Sequence, residues 1–91
     1  MQKQLLEIIN HYGIDKQLKY IHSEYFELDE AIIRYDDSEA LSFDIYHIAE
    51  EISDVMCMLK QFQYYYGISD EEIENIMKEK VDRQLERIKN E

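Results

Sequence analysis

Along most of the chain apolar residues recur in steps of three and four, which is the spacing of one face of a helix. Leu5, Leu6, Ile8 and Ile9 predict a short first helix over about 2–11, with Gly13 as its stop. Asp15 then caps a second helix over about 16–35, whose stripe is Leu18, Ile21, Tyr25, Leu28, Ile32 and Tyr35. Asp36-Asp37-Ser38 breaks the pattern, and the stretch up to Phe43 reads as a loop or as an early turn of the next helix. The third helix, about 42–66, has the most regular pattern: Ile45, Ile48, Ile52, Val55, Leu59, Phe62 and Tyr66. Gly67 ends it. Ser69-Asp70-Glu71-Glu72 is a capping box for a fourth helix, about 70–89, carrying Ile73, Ile76, Met77, Val81, Leu85 and Ile88. Short connections make consecutive helices antiparallel neighbours. The expected fold is all-α: a single compact four-helix domain over residues 1–91, with a short first helix and three longer antiparallel ones.

Composition supports a helical chain, since proline is absent and there are only two glycines. A 91-residue chain buries only about 60–65% of its unfolded surface. Its one cysteine cannot form an intrachain disulfide. Association with further copies is the expected source of additional core. Cys57, in the run Val55-Met56-Cys57-Met58-Leu59, reads as a small buried hydrophobe. No stretch reaches the roughly 18 apolar residues of a membrane span, and no signal-peptide pattern opens the chain, so no membrane partner and a cytoplasmic location are expected. The formal charge of −11 argues against binding to nucleic acid. It leaves room for a small phosphorylated ligand neutralised by metal ions and local cations.

Two acidic pairs change the picture. Glu24 and Glu27 are three residues apart on the second helix, and Glu51 and Asp54 are three apart on the third. Residues so spaced point the same way. At about 100° per residue, with the first acid of each pair as origin, the apolar stripe centres near +70° and the second acid near −60°. Both helices therefore show the same layout, with acids on the same shoulder of each seam. In an antiparallel pair such shoulders converge on one cleft. Isolated carboxylates facing inward are costly, and a divalent cation offsets that cost. A cluster with no His or Cys suits Mg²⁺ better than zinc, with Mn²⁺ as a substitute. The other reading is a solvated acidic face. A di-iron carboxylate bundle would need two Glu-x-x-His motifs, and Asp44-Ile45-Tyr46-His47 is only a single near match. The three histidines read as ordinary polar residues.

Lys80, Gln84 and Arg87 form one line along the fourth helix, bordering its apolar stripe. Lysine meets phosphate as a point charge and arginine can grip it with two bonds. The other reading is pairing with acids or with the helix C-terminus. Tyr64-Tyr65-Tyr66 cannot all face one core; the rings read first as core or interface packing, with contact of one ring to a neighbouring subunit or a base as the other reading.

With Ser23-Glu24-Tyr25-Phe26-Glu27, then Glu50-Glu51-Ile52-Ser53-Asp54, then Lys80 through Arg87, the chain resembles the MazG-like all-α nucleoside triphosphate pyrophosphohydrolases over about residues 12–88. The family pattern is Glu-Glu-x-x-Glu, a spacer, Glu-x-x-Asp, and a lysine, often with asparagine and arginine, on the last helix. Ser23 stands where the family usually has its first glutamate, and Gln84 where asparagine is common. The resemblance implies hydrolysis of a (deoxy)nucleoside triphosphate to monophosphate and pyrophosphate, as in housecleaning of the nucleotide pool. Glu24, Glu27, Glu51 and Asp54 would hold Mg²⁺ on the phosphates, and Glu24 or Glu27 would orient or deprotonate the attacking water. Lys80 and Arg87, with Gln84, would bind the substrate and neutralise the leaving pyrophosphate, Lys80 acting in catalysis. Relatives are dimers or tetramers, which implies a homodimer or homotetramer here. Phosphoribosyl-ATP pyrophosphohydrolase is a variant within the superfamily. A reading from another class is a non-catalytic acidic helical module that binds a partner protein.

Overall fold

A computed structural model describes residues 1–37 and 42–91. These residues form four helices: α1 (Gln2–Tyr12), α2 (Ile14–Asp37), α3 (Ser42–Tyr65) and α4 (Asp70–Lys89). Among the described residues there is no strand. The count, order and approximate bounds follow the apolar periodicity. The connection from α2 to α3, expected as a loop or early turn, falls on 38–41 and lies outside the described residues.

The two glycines make the joints. Gly13, at φ 91°, donates its N–H to the Ile9 carbonyl (2.8 Å), and its own carbonyl accepts from Gln17 N–H (3.1 Å). One residue thus ends α1 and starts α2. Asp15 consequently lies in the first turn of α2 and is not its cap. A carboxylate there still meets the positive end of the helix favourably. At the end of α3, Gly67 takes φ 70°, a left-handed conformation that costs a glycine nothing. Its N–H reaches the Tyr64 carbonyl and Ile68 N–H reaches that of Gln63, both at 3.0 Å, which is the Schellman arrangement. Ser69 then caps α4, its hydroxyl accepting from Glu72 N–H at 3.0 Å.

α2 and α3 pack antiparallel. Gln17 meets Gln61, Glu24 lies with Asp54, and Ala31 shares a cleft with His47, so position rises on one helix as it falls on the other. α1 lies across the pair and contacts both helices. It buries Leu5 and the fully enclosed Ile9. Val55 and Met58 of α3 and Ala31 of α2 complete the apolar interior.

The long apolar stripes are only half covered. On α3, Val55 is buried, whereas Ile45, Ile52 and Leu59 are exposed, as is Tyr66 just past its end. On α2, Leu18, Tyr25 and Ile32 are exposed as well. The inner seam of α2 instead runs through Gln17, Glu24 and Ala31. Cys57, expected to be buried, is exposed, because it lies off the seam through Glu51, Val55 and Met58.

The body of α4 packs against none of α1, α2 and α3. Ile76, Met77, Val81, Leu85 and Ile88 stay open to solvent. The radius of gyration, 16.2 Å, exceeds the roughly 12 Å of a globule of this length. The expectation of long antiparallel helices is met by α2 and α3, while α4 packs on no other helix among the described residues. What holds α4 is its first residue. Asp70 accepts hydrogen bonds from Lys60 Nζ, Gln63 Nε2 and the Tyr64 hydroxyl, each at 2.8 Å.

Those three donors, Lys60 foremost, pull the Asp70 carboxyl from its usual range down to about 2. A carboxylate whose folded pKa is depressed stabilises the fold fully above its unfolded value and loses that contribution as pH falls through the folded one. Asp70→Asn should therefore lower the melting temperature near neutral pH and flatten the acid limb of the stability curve between about pH 4 and pH 2. Thermal melts across that range check this; an unchanged acid limb would refute the anchor.

Candidate metal centre

Glu24 and Glu27 occupy one turn of α2, and Glu51 and Asp54 one turn of α3. The antiparallel register brings these turns together. One carboxylate oxygen from each of the four lies within 4.8 Å of every other. Glu24 and Glu51 form the floor of the cluster, at 6% and 8% exposure, while Glu27 and Asp54 stand exposed at its mouth. The matched shoulders seen in the sequence converge on one cleft.

The floor is electrostatically unsatisfied. The Oε2 atoms of Glu24 and Glu51 are both buried, and neither has a hydrogen-bond partner among the described residues. Burial, and after it the neighbouring acids, push both carboxyls above the ordinary glutamate range. The Tyr20 hydroxyl pulls Glu24 part of the way back, and its own pKa rises through that same interaction. For Glu51 the counterweight is His47, whose Nε2 lies 3.8 Å from the carboxylate. Orphaned buried oxygens normally find a partner or a charge. Four oxygen donors without sulfur or a coordinating imidazole fit a hard divalent cation such as Mg²⁺ or Mn²⁺.

Residues that local spacing did not single out also reach this centre. Arg34 lines a cleft of about 270 Å³ together with Glu27, Glu30, His47 and Glu51. Tyr20 and His47 each sit four residues before a buried glutamate, a spacing that could have marked both. Arg34 comes from the tertiary register and had no local signal. Lys80, Gln84 and Arg87 are exposed on α4, and one chain does not bring them to the carboxylates. Of the three tyrosines in a row, Tyr64 is buried, while Tyr65 and Tyr66 remain exposed.

The chain matches no protein-family model, no curated protein and no solved structure.

A carboxyl whose folded pKa is raised favours the native state while protonated, and that advantage is lost as pH rises through the raised value. The metal-free protein should therefore melt higher at pH 5 than at pH 7. Mg²⁺ should raise the melting temperature more at pH 7, where protons compete less. Glu24→Gln should stabilise the metal-free form at pH 7 and abolish most of the Mg²⁺-dependent shift. Scanning calorimetry with Mg²⁺ and with chelator checks both; a wild-type response to Mg²⁺ in Glu24→Gln would exclude this residue as a ligand.

Proposed function

We propose that the protein is a Mg²⁺-dependent nucleoside triphosphate pyrophosphohydrolase of the MazG-like kind, as its ordered acidic motifs suggest. The observation that carries this reading is the carboxylate cluster with two buried, unpartnered oxygens at its floor. Glu24, Glu27, Glu51 and Asp54 would hold the ion. Bound there, Mg²⁺ would offset phosphate charge and acidify a bound water. Glu27, exposed at the mouth, or Glu24 behind it, would orient the attacking water and take its proton. Attack at the α-phosphorus breaks the α–β anhydride bond and releases the monophosphate and pyrophosphate. Arg34, in the same cleft as Glu27 and Glu51, offers the nearest guanidinium for phosphate oxygens.

Lys80, Gln84 and Arg87 enter this scheme through a second copy of the chain. α4 has an open apolar stripe, and residues 78–89 carry five cations against three acids. The preceding 77 residues carry five cations against seventeen acids. Docking of α4 on the open stripes of another copy buries both apolar surfaces and joins opposite charges. A homodimer or homotetramer made in this way brings the cations toward a partner's carboxylates. The same open surfaces favour a second reading, an acidic helical module that binds a different protein without catalysis.

A panel of ribo- and deoxyribonucleoside triphosphates with Mg²⁺ or Mn²⁺ should yield pyrophosphate, and chelator should stop the reaction. Glu51→Gln and Asp54→Asn should each lower kcat at least roughly 100-fold, the scale of a lost electrostatic catalytic group. Wild-type rates in both variants would overturn the ligand assignment, and no release from any substrate would favour the interaction module.

Lys80→Ala should cost roughly 2–4 kcal/mol of transition-state stabilisation. If α4 acts across subunits, mixing Lys80→Ala chains with Glu51→Gln chains should restore part of the activity that each lacks alone. Sedimentation should show a dimer or tetramer. Mixed chains that stay inactive within a proven oligomer would confine Lys80 to its own subunit or remove it from the site.

A further inference from the structure

Two turns from the carboxylates, on both helices and in the same direction, lies a pair of buried amides that the metal centre does not use. Gln17 precedes Glu24 by seven residues, and Gln61 follows Asp54 by seven. Because α2 and α3 run antiparallel, both displacements lead to the same end of the seam, about 10 Å from the cluster along the helix axes. There Gln17 Nε2 donates to Gln61 Oε1 at 2.8 Å and to the Met58 sulfur at 4.0 Å. Gln61 Nε2 donates to the same sulfur at 3.8 Å. All three side chains are buried.

These bonds leave two polar groups over. Among the described residues Gln17 Oε1 accepts no hydrogen bond, and Gln61 Nε2 keeps its second proton. Above them opens a cleft of about 290 Å³, close to the lower end of small-ligand sites. Its walls are Ile8 and Tyr12 of α1 and Tyr20 of α2, with Lys16 at the rim. Both tyrosine rings are about half exposed; Lys16 Nζ lies 5.0 Å over the ring of Tyr12, a place that a flat ligand would take by displacing it, and the Tyr20 hydroxyl reaches Glu24. Tyr20 stands one turn before Glu24 and so connects this cleft to the carboxylates.

We propose that this cleft is a nucleobase subsite, in which Gln17 and Gln61 bind the edge of the base and Tyr12 and Tyr20 pack on its faces. The proposal rests on the phosphate-binding reading of the carboxylates and gives that site its nucleoside end. An adjacent acceptor and donor match the donor–acceptor edge of a purine or pyrimidine. Aromatic rings hold bases by stacking. A ribose and its α-phosphate bridge a gap of the size that separates the amides from the acids. The competing role for the amides is a structural pin between α2 and α3, which would leave the cleft without ligand preference.

Nucleosides without phosphate separate the two roles and do not require the metal. Adenosine, guanosine, cytidine, uridine and their 2′-deoxy forms are titrated into the full chain, without and with Mg²⁺, followed by NMR. At least one nucleoside should shift the side-chain amide signals of Gln17 and Gln61 saturably, and with a preference among bases. Tyr12→Ala, at an exposed position, should weaken that binding roughly tenfold, the scale of one lost stacking partner. Gln61→Leu should change the base preference, and both variants should still respond to Mg²⁺ as wild type does. Unmoved amide signals with every nucleoside, or shifts that survive Tyr12→Ala unchanged, would overturn the subsite. If Gln61→Leu fails to fold, Tyr12→Ala decides alone. Nucleoside binding without any Mg²⁺ response would sink the hydrolase reading and keep the subsite, whereas Mg²⁺ binding without nucleoside binding does the reverse.

Discussion

Two carboxylate oxygens buried without a partner, one on each central helix, set the terms for this molecule. Glu24 and Glu51 face each other across the α2–α3 seam, where an apolar pair would pack more favourably. Protonation relieves the repulsion between two acids, and burial and neighbouring charge push both carboxyls in that direction. A cation at the centre of the four oxygens relieves all of the strain together. On the proposed reading, the cost built into the metal-free seam would be the counterpart of affinity for an ion, because the same proximity that repels the acids would make them converge as ligands.

This arrangement requires α2 and α3 to hold one register, and the packing around the acids enforces it. The Gln17–Gln61 bond ties the helices two turns to one side of the cluster. Ala31, small and buried, lies two turns to the other side, where Arg34 and His47 share the cleft. α1 clamps the amide end through Ile9 and Leu5. A slip of one helical turn would separate the pairs and leave four acids with no common centre. α4 takes no part in this. Asp70 fixes its start, and its apolar stripe stays uncovered among the described residues.

How far the sequence carries depends on whether a feature is local. Helix bounds, the two glycine joints and the spacing of Glu24–Glu27 and Glu51–Asp54 depend on neighbours within a few residues, and the sequence reports them well. The division of α3 into inner and outer rows is different. Ile48, Val55 and Phe62 form one row at seven-residue spacing and Ile45, Ile52, Leu59 and Tyr66 form another, and together they read as a single wide stripe. Only the position of α1 and α2 decides that Val55 is covered and Leu59 is not. Nothing local marks Gln17 and Gln61 for burial, because amides are usually exposed. Their burial depends on each finding the other 44 positions away. Arg34 joins the acidic cleft for the same reason, through antiparallel pairing that no local pattern encodes.

The order of chemistry along the seam then matters more than any one group in it. From the α1 end it runs from uncharged amides and tyrosine rings, through four carboxylates, to an arginine beside a histidine. The distance from Gln17 to Arg34 along the helix is about 25 Å. A free divalent ion would use only the middle of such a track, and an acidic peptide would be repelled there. On the reading proposed above, the ligand is neutral and flat at one end and polyanionic at the other, joined by a spacer. Its phosphates meet the carboxylates through a cation, and Arg34 receives the distal negative charge. The polarity of the seam therefore fixes which way such a ligand lies: base toward Gln17 and Gln61, leaving group toward Arg34. On that reading the direction is set by the register of α2 against α3 alone and needs no contribution from α4.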